Sequence, residues 1–174
     1  MKFLKIIGLI VLVIIILILC IGAFLPPSKH IQVSRIVPAD PVSCFTQVAN
    51  LRNWEAWAPW KEMDPDIELE YFQSSANTDT AFSWNGPLSG RGAVSVSERI
   101  PFSGLSLQVI LAGRYKALAG FNFKPVEGGT LITCQVILDD LSYPVGRWMG
   151  LVTPSMLTPS LHKSLENIEL TLTR

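Results

Sequence analysis

Five tryptophans, Trp54, Trp57, Trp60, Trp84 and Trp148, are the residues best able to build a binding surface. Burying one aromatic side chain removes roughly 150–250 Å² from water. Trp54 and Trp57 stand three apart, so on a helix they share a face. Such a set either plugs a core or walls an apolar cavity, and Phe121 is a further candidate for the same wall. Contact with a bilayer is a third use, because tryptophan favours the membrane interface. Arg91, Glu98 and Arg114 lie in or beside segments that read as sheet. Turned inward, one of them would need a partner and would orient a polar ligand head. Glu98 with Arg91 or Arg114 would then be the first choice for an acid and base. Turned outward, all three are solvated surface charges.

Other constellations lead away from chemistry. Asp64, Asp66, Glu68 and Glu70 recur at period two, which on a strand is one face. They lack the loop glycine and terminal bidentate Glu of a calcium loop, and a solvated strand face accounts for them. His30 and His162 are the only histidines, and His162 sits four before Glu166 as a helical surface pair would. Neither has a cysteine or a third histidine nearby for zinc. No metal, cofactor or catalytic residue is expected. Nucleophilic triads, GxGxxG fingerprints and P-loops are absent. Cys20 falls in an apolar run. Cys44 and Cys134 read as small buried hydrophobes, or as a disulfide in an exported domain.

These residues need elements to hold them, and the chain of 174 residues suits one domain plus an appendage. The appendage comes first. From Phe3 to Leu25 the only charge is Lys5, and Ile, Leu and Val dominate. About twenty such residues at a helical rise of about 1.5 Å span a bilayer core of about 30 Å. A cleaved signal peptide has a shorter core and a small-x-small site. Here Ile21-Gly22-Ala23 carries a bulky Ile at the first position, so an uncleaved transmembrane anchor is expected. Lys2, Lys5 and the terminal amine oppose Lys29 and Arg35, which tilts the domain towards export. The expectation is a single-pass protein of the bacterial inner membrane with its domain in the periplasm. Removing Lys2 and Lys5 from the balanced count of 14 basic and 14 acidic residues leaves a net charge of −2 beyond residue 28. That excludes a phosphate-neutralising face, so no nucleic-acid partner is expected.

Residues 1–27 therefore read as anchor and stiff Pro26-Pro27 linker, and residues 28–174 as one domain. A first strand covers about His30 to Val37. Asp40-Pro41 caps a helix with Val42, Phe45 and Val48 on one stripe, ended by Asn50. A short helix carries Trp54 and Trp57 up to Pro59. Period-two runs then follow from residue 66 to residue 138. Turn signals separate them, including Ser75-Ala76-Asn77, Asn85-Gly86-Pro87 and Ala112-Gly113, which gives an antiparallel meander of about six strands. At the end, Pro144 opens a short helix to Val152 and Thr158-Pro159 caps a longer one, with Leu161, Leu165, Ile168 and Leu172 as its seam. The class is α+β.

This order resembles the helix-grip fold of the START-like (SRPBCC) superfamily, the polyketide cyclase/dehydrase and lipid-transport group. Three segments carry the resemblance. Ile36-Val37-Pro38-Ala39-Asp40-Pro41-Val42, running on to Phe45, is similar to its first strand entering its first helix. Trp54-Glu55-Ala56-Trp57-Ala58-Pro59-Trp60 is similar to the second-helix segment of its membrane-anchored bacterial members. Phe82-Ser83-Trp84-Asn85-Gly86 followed by Gly90-Arg91-Gly92 is similar to their third and fourth strands. The resemblance implies an antiparallel sheet wrapped around a C-terminal helix, with a cavity between them that holds a lipid or other hydrophobic small molecule. Pro154 and Pro159 depart from the family pattern by breaking that helix. Three functions follow: a membrane-tethered binding module, a cyclase/dehydratase-type enzyme, or an interaction domain with a filled core. Cavity candidates are Trp54, Trp57, Trp60, Trp84, Arg91, Glu98, Phe121 and Trp148.

Overall fold

The computed structural model describes residues 2–73, 79–111, 115–139 and 141–173. Arg114 and the turns expected at Ser75-Ala76-Asn77 and Ala112-Gly113 lie outside the described residues. The chain opens with one long apolar helix, α1 (Lys2–Phe24), long enough to cross a membrane. Strand β1 (Lys29–Val37) follows after a short connection. Helix α2 (Pro41–Ala49) starts where Asp40 Oδ1 accepts from the N–H groups of Val42 and Ser43 at 2.9 and 3.0 Å. Two otherwise orphaned donors are satisfied this way, and Pro41 loses nothing at the first turn. The segment after Asn50 makes one 3₁₀ turn and two single-turn helices, α3 (Trp54–Trp57) and α4 (Trp60–Met63), separated at Ala58-Pro59.

Six strands then run up and down: β2 (Glu68–Gln73), β3 (Asp79–Gly86), β4 (Gly90–Ile100), β5 (Gly104–Leu111), β6 (Tyr115–Val126) and β7 (Gly129–Leu138). With β1 they form one antiparallel sheet in the order β1-β7-β6-β5-β4-β3-β2. One face of the sheet is apolar because alternate residues point the same way. Val33 and Val37, Phe82, Val94, Leu105 and Leu107, Phe121 and Phe123, Ile132 and Cys134 are all buried on it. Helix α5 (Val145–Leu172) lies across that face. Its seam is as expected: Leu165 and Ile168 are fully buried, and Leu161 and Leu172 pack against the same core. This is the helix-grip architecture.

Three expectations about this framework are corrected. First, Pro154 and Pro159 do not divide the C-terminal segment, because α5 is one helix through both. Each proline removes one i→i−4 hydrogen bond, a cost of about 3 kcal/mol in an isolated helix. Packing at both ends of α5 outweighs that local penalty. Hydroxyls stitch the weakened stretch as well: Thr153 donates to Met149 O and Ser155 to Val152 O. Second, the acidic run is not one solvated strand face. The strand starts only at Glu68, and Asp64 is fully buried. Its Oδ2 accepts from the N–H groups of Leu88 and Ser89 and from the Ser89 hydroxyl, so it pins the β3–β4 turn. Third, Glu166 pairs with Lys163 rather than with His162.

Candidate functional site

Between the sheet and α5 lies a cavity of about 360 Å³. Its floor is the inner face of three long strands: Leu107, Val109 and Leu111 of β5, Ala117, Ala119 and Phe121 of β6, and Cys134 and Val136 of β7. Register explains why space remains here. Ala119 sits opposite Leu107 and Val136, and Ala117 opposite Val109 and Leu138. Further along β6 the same inward positions are Phe121 and Phe123. Small side chains at one end and rings at the other leave the cavity at the alanine end.

Four of the tryptophans form the side wall. Trp54 and Trp57 are 6% and 2% exposed, with ring centroids 4.8 Å apart, and Trp54 also meets Phe82 and Phe121 edge-on. Trp54 Nε1 donates to Val48 O at 2.7 Å, which fixes the ring. Trp60 and Trp84 are partly buried and stack at 6.5 Å with planes 22° apart. Trp84 lies across Gly92, its partner on β4: a Cβ at Gly92 would fall 2.1 Å from the indole, so only glycine leaves the ring this position. The core-plug and cavity-wall readings thus coincide, since Trp54 and Trp57 belong to the core and also face the hollow. From α5 come Leu157, Ser160, Leu161, Ser164 and Leu165.

The wall holds little that can titrate. Among the described residues that line it, no carboxylate, histidine, lysine or arginine appears. Cys134 is the ionisable one, and burial pushes its thiol up to about 12. Burial also raises the Cys44 thiol, and both cysteines are free. At the rim, Ser89 belongs to the turn held by Asp64. The Ser89 hydroxyl above all, then the Ser89 and Leu88 N–H groups, hold the Asp64 carboxyl below its usual range against the opposing effect of burial.

Trp54, Trp57, Trp60, Trp84 and Phe121 are thus brought together around one cavity, whereas Arg91, Glu98 and Trp148 do not line it. Arg91 is exposed, with Nε 3.3 Å from Asn85 Oδ1, because alternation from inward Gly92 turns it out. Glu98 would continue the inward series Val94, Val96, but the register slips between Val96 and Glu98 and the side chain emerges in solvent. Trp148 Nε1 donates to Ile18 O of α1 at 3.3 Å and does not line the hollow. Residues that sequence reasoning missed are Ala117 and Ala119, whose small size makes the space. Nothing in a single sequence marks an alanine as facing another strand's valine or leucine.

No protein-family model matches the chain, and no curated protein sequence matches it. Solved structures do match in shape. Protein CV1439 of Chromobacterium violaceum is 11% identical with a TM-score of 0.61, covering 84% of this chain and 99% of that one. The di-domain ARO/CYC protein StfQ from the steffimycin biosynthetic pathway is 11% identical with a TM-score of 0.63, over 84% of this chain and 51% of its own. Ara h 8.0201 is 12% identical with a TM-score of 0.58, over 84% and 98%. At such identities the likeness is one of fold, and the fold of this chain is the helix grip that StfQ and Ara h 8.0201 also have.

Proposed function

We propose that this chain is a membrane-tethered binding module for a lipid or other hydrophobic small molecule, with no chemistry of its own. On this reading it is a START-like protein of the membrane-anchored bacterial type, held in the inner membrane by α1 with its domain exported. The observation that carries the reading is the cavity: about 360 Å³, walled by indoles, aliphatic side chains and alanines. Ligand sites run from about 300 to 1,000 Å³ and are mostly apolar with a few polar groups. Burial would supply the affinity, at about 25 cal/mol per Å² of apolar ligand surface. Ser89, Ser160 and Ser164 are the polar groups available to orient it. The filled-core reading is not supported by such a hollow. Among the described residues, no acid or base lines the cavity to support the cyclase/dehydratase reading, and Glu98 and Arg91 are both in solvent.

The test is co-purification. The full chain, extracted in mild detergent and examined by native mass spectrometry, is expected to carry a hydrophobic molecule. Ala119→Phe, which extends a ring into the hollow, is expected to lose it while keeping the far-ultraviolet circular dichroism of the parent. Equal retention by both, or an empty parent, would end the carrier reading.

A further inference from the structure

The first turns of α5 carry apolar side chains that the domain does not cover. Val145, Met149, Val152 and Met156 are 64%, 50%, 50% and 68% exposed. Steps of four, three and four place them within about 60° of one another around the helix. The core seam of the same helix, from Leu161 to Leu172, lies about 140–200° away around the axis. α5 therefore turns one apolar face to the sheet over its last turns and the opposite face outward over its first.

Next to the outward stripe, three side chains grip α1. The Tyr143 hydroxyl donates to Leu19 O at 3.0 Å, Arg147 Nη1 to Ala23 O at 2.6 Å, and Trp148 Nε1 to Ile18 O at 3.3 Å. Gly22 admits the indole: a Cβ there would lie 2.9 Å from Trp148 Nε1, and Gly22 is the buried residue of a helix whose other described residues are exposed. Ile18 is six residues before the end of α1 at Phe24, about 9 Å along the axis. Trp148 thus sits beside the uncharged span, not beyond it.

We infer that the segment from Tyr143 to Met156 lies in the surface of the bilayer that α1 crosses, with Val145, Met149, Val152 and Met156 covered by lipid. This rests on the reading of α1 as a membrane anchor. Three observations choose lipid over a protein partner as the cover. The segment is bonded to carbonyls within the apolar span, so it cannot leave the level at which that span meets the interface. Its polar aromatics, Tyr143 and Trp148, are the types that collect at that level. Arg147 donates to the last-turn carbonyl of Ala23, where a cation complements the dipole of α1 and stands at the end of the apolar span, the depth of the headgroups. An amphipathic helix lying in the interface buries its apolar face about 5–10 Å deep. The cavity is on the same side of the domain. Leu111, Ala117 and Val136 line it, and register ties them to the end of the sheet where Lys29 pairs with Leu138, directly after α1. Leu157, next after Met156, is already cavity wall.

Depth-dependent quenching tests this on the full chain in phosphatidylcholine vesicles. Cys20→Ala removes the exposed thiol, while Cys44 and Cys134 are buried. Met149→Cys, Val152→Cys and Met156→Cys, each labelled with an environment-sensitive fluorophore, are compared with His162→Cys on the same helix. Doxyl-labelled lipid is expected to quench the first three at least about twofold more than the last. Equal quenching at all four positions in a chain that resists alkaline carbonate would overturn this inference and leave the anchor intact. Release of the chain by carbonate would overturn the anchor reading and this inference with it.

Discussion

The two ends of the sheet are built differently. At the end away from α1, Phe123, Ile132, Val37 and Leu105 close up solidly, and Phe45 meets Phe102 and Phe123 edge-on at 5.8 and 5.7 Å. Nearer α1, Ala117 and Ala119 replace rings at equivalent inward positions, and the space between sheet and helix stays unfilled. One strand, β6, thus carries both a stability site and a vacancy, and side-chain volume alone separates them. The lesson is that in this fold a cavity is made by subtraction, at the end where the core is not needed to hold α2 and the tail of α5.

The largest effect that would test this contrast is Phe123→Ala at the packed end. It is expected to cost about 3–5 kcal/mol, read from the denaturant midpoint in detergent. A cost below about 1 kcal/mol would mean that the far end is no better packed than the near one. Ala119→Phe at the hollow end is expected to stay below the usual overpacking cost of about 1–3 kcal/mol, because the added ring enters empty space. Asp64→Asn sharpens the picture at the rim. With its pKa depressed in the folded state, Asp64 contributes stability above the unfolded value of about 3.9 and loses it as pH falls through the lower folded value. The variant is expected to be less stable at neutral pH and to show a flatter acid limb in thermal melts from pH 6 to 2. The smallest effect belongs to the ion pair of Arg35 with Glu169, whose side chains are 43% and 27% exposed. Glu169→Gln is expected to cost at most about 1 kcal/mol, and to cost less still at high salt.

Much of the framework is legible from local pattern. Period-two runs mark the strands, Asp40-Pro41 marks the start of α2, and an uncharged apolar run marks α1. Leu161, Leu165, Ile168 and Leu172 mark the buried side of α5. The tryptophans stand out because bulk and spacing are local properties, and four of the five line the cavity. What local pattern misreads has a physical cause in each case. Glu98 looks inward until a bulge, visible only through pairing with β5, turns it out. Trp148 looks like another wall residue, yet its partner is 130 positions away in α1. Asp64 looks like one of four surface acids, but the donors that bury it come from a turn 24 and 25 residues later. The prolines of α5 look like stops because propensity is local and the packing that overrides it is not.

Those prolines leave a mechanical signature. Without an N–H at Pro154 and Pro159, the carbonyls of Gly150 and Ser155 lack their i+4 donors. The missing rungs lie between two clamps: the grip on α1 at Tyr143, Arg147 and Trp148, and the seam in the core from Leu161 onward. Stiffness in α5 is therefore lowest along the stretch from Gly150 to Pro159, and bending of the rod concentrates there. Leu157, which walls the cavity, rides on that compliant stretch, so the anchored turns and the sheet-bound turns form two levers that share one elastic joint beside the hollow.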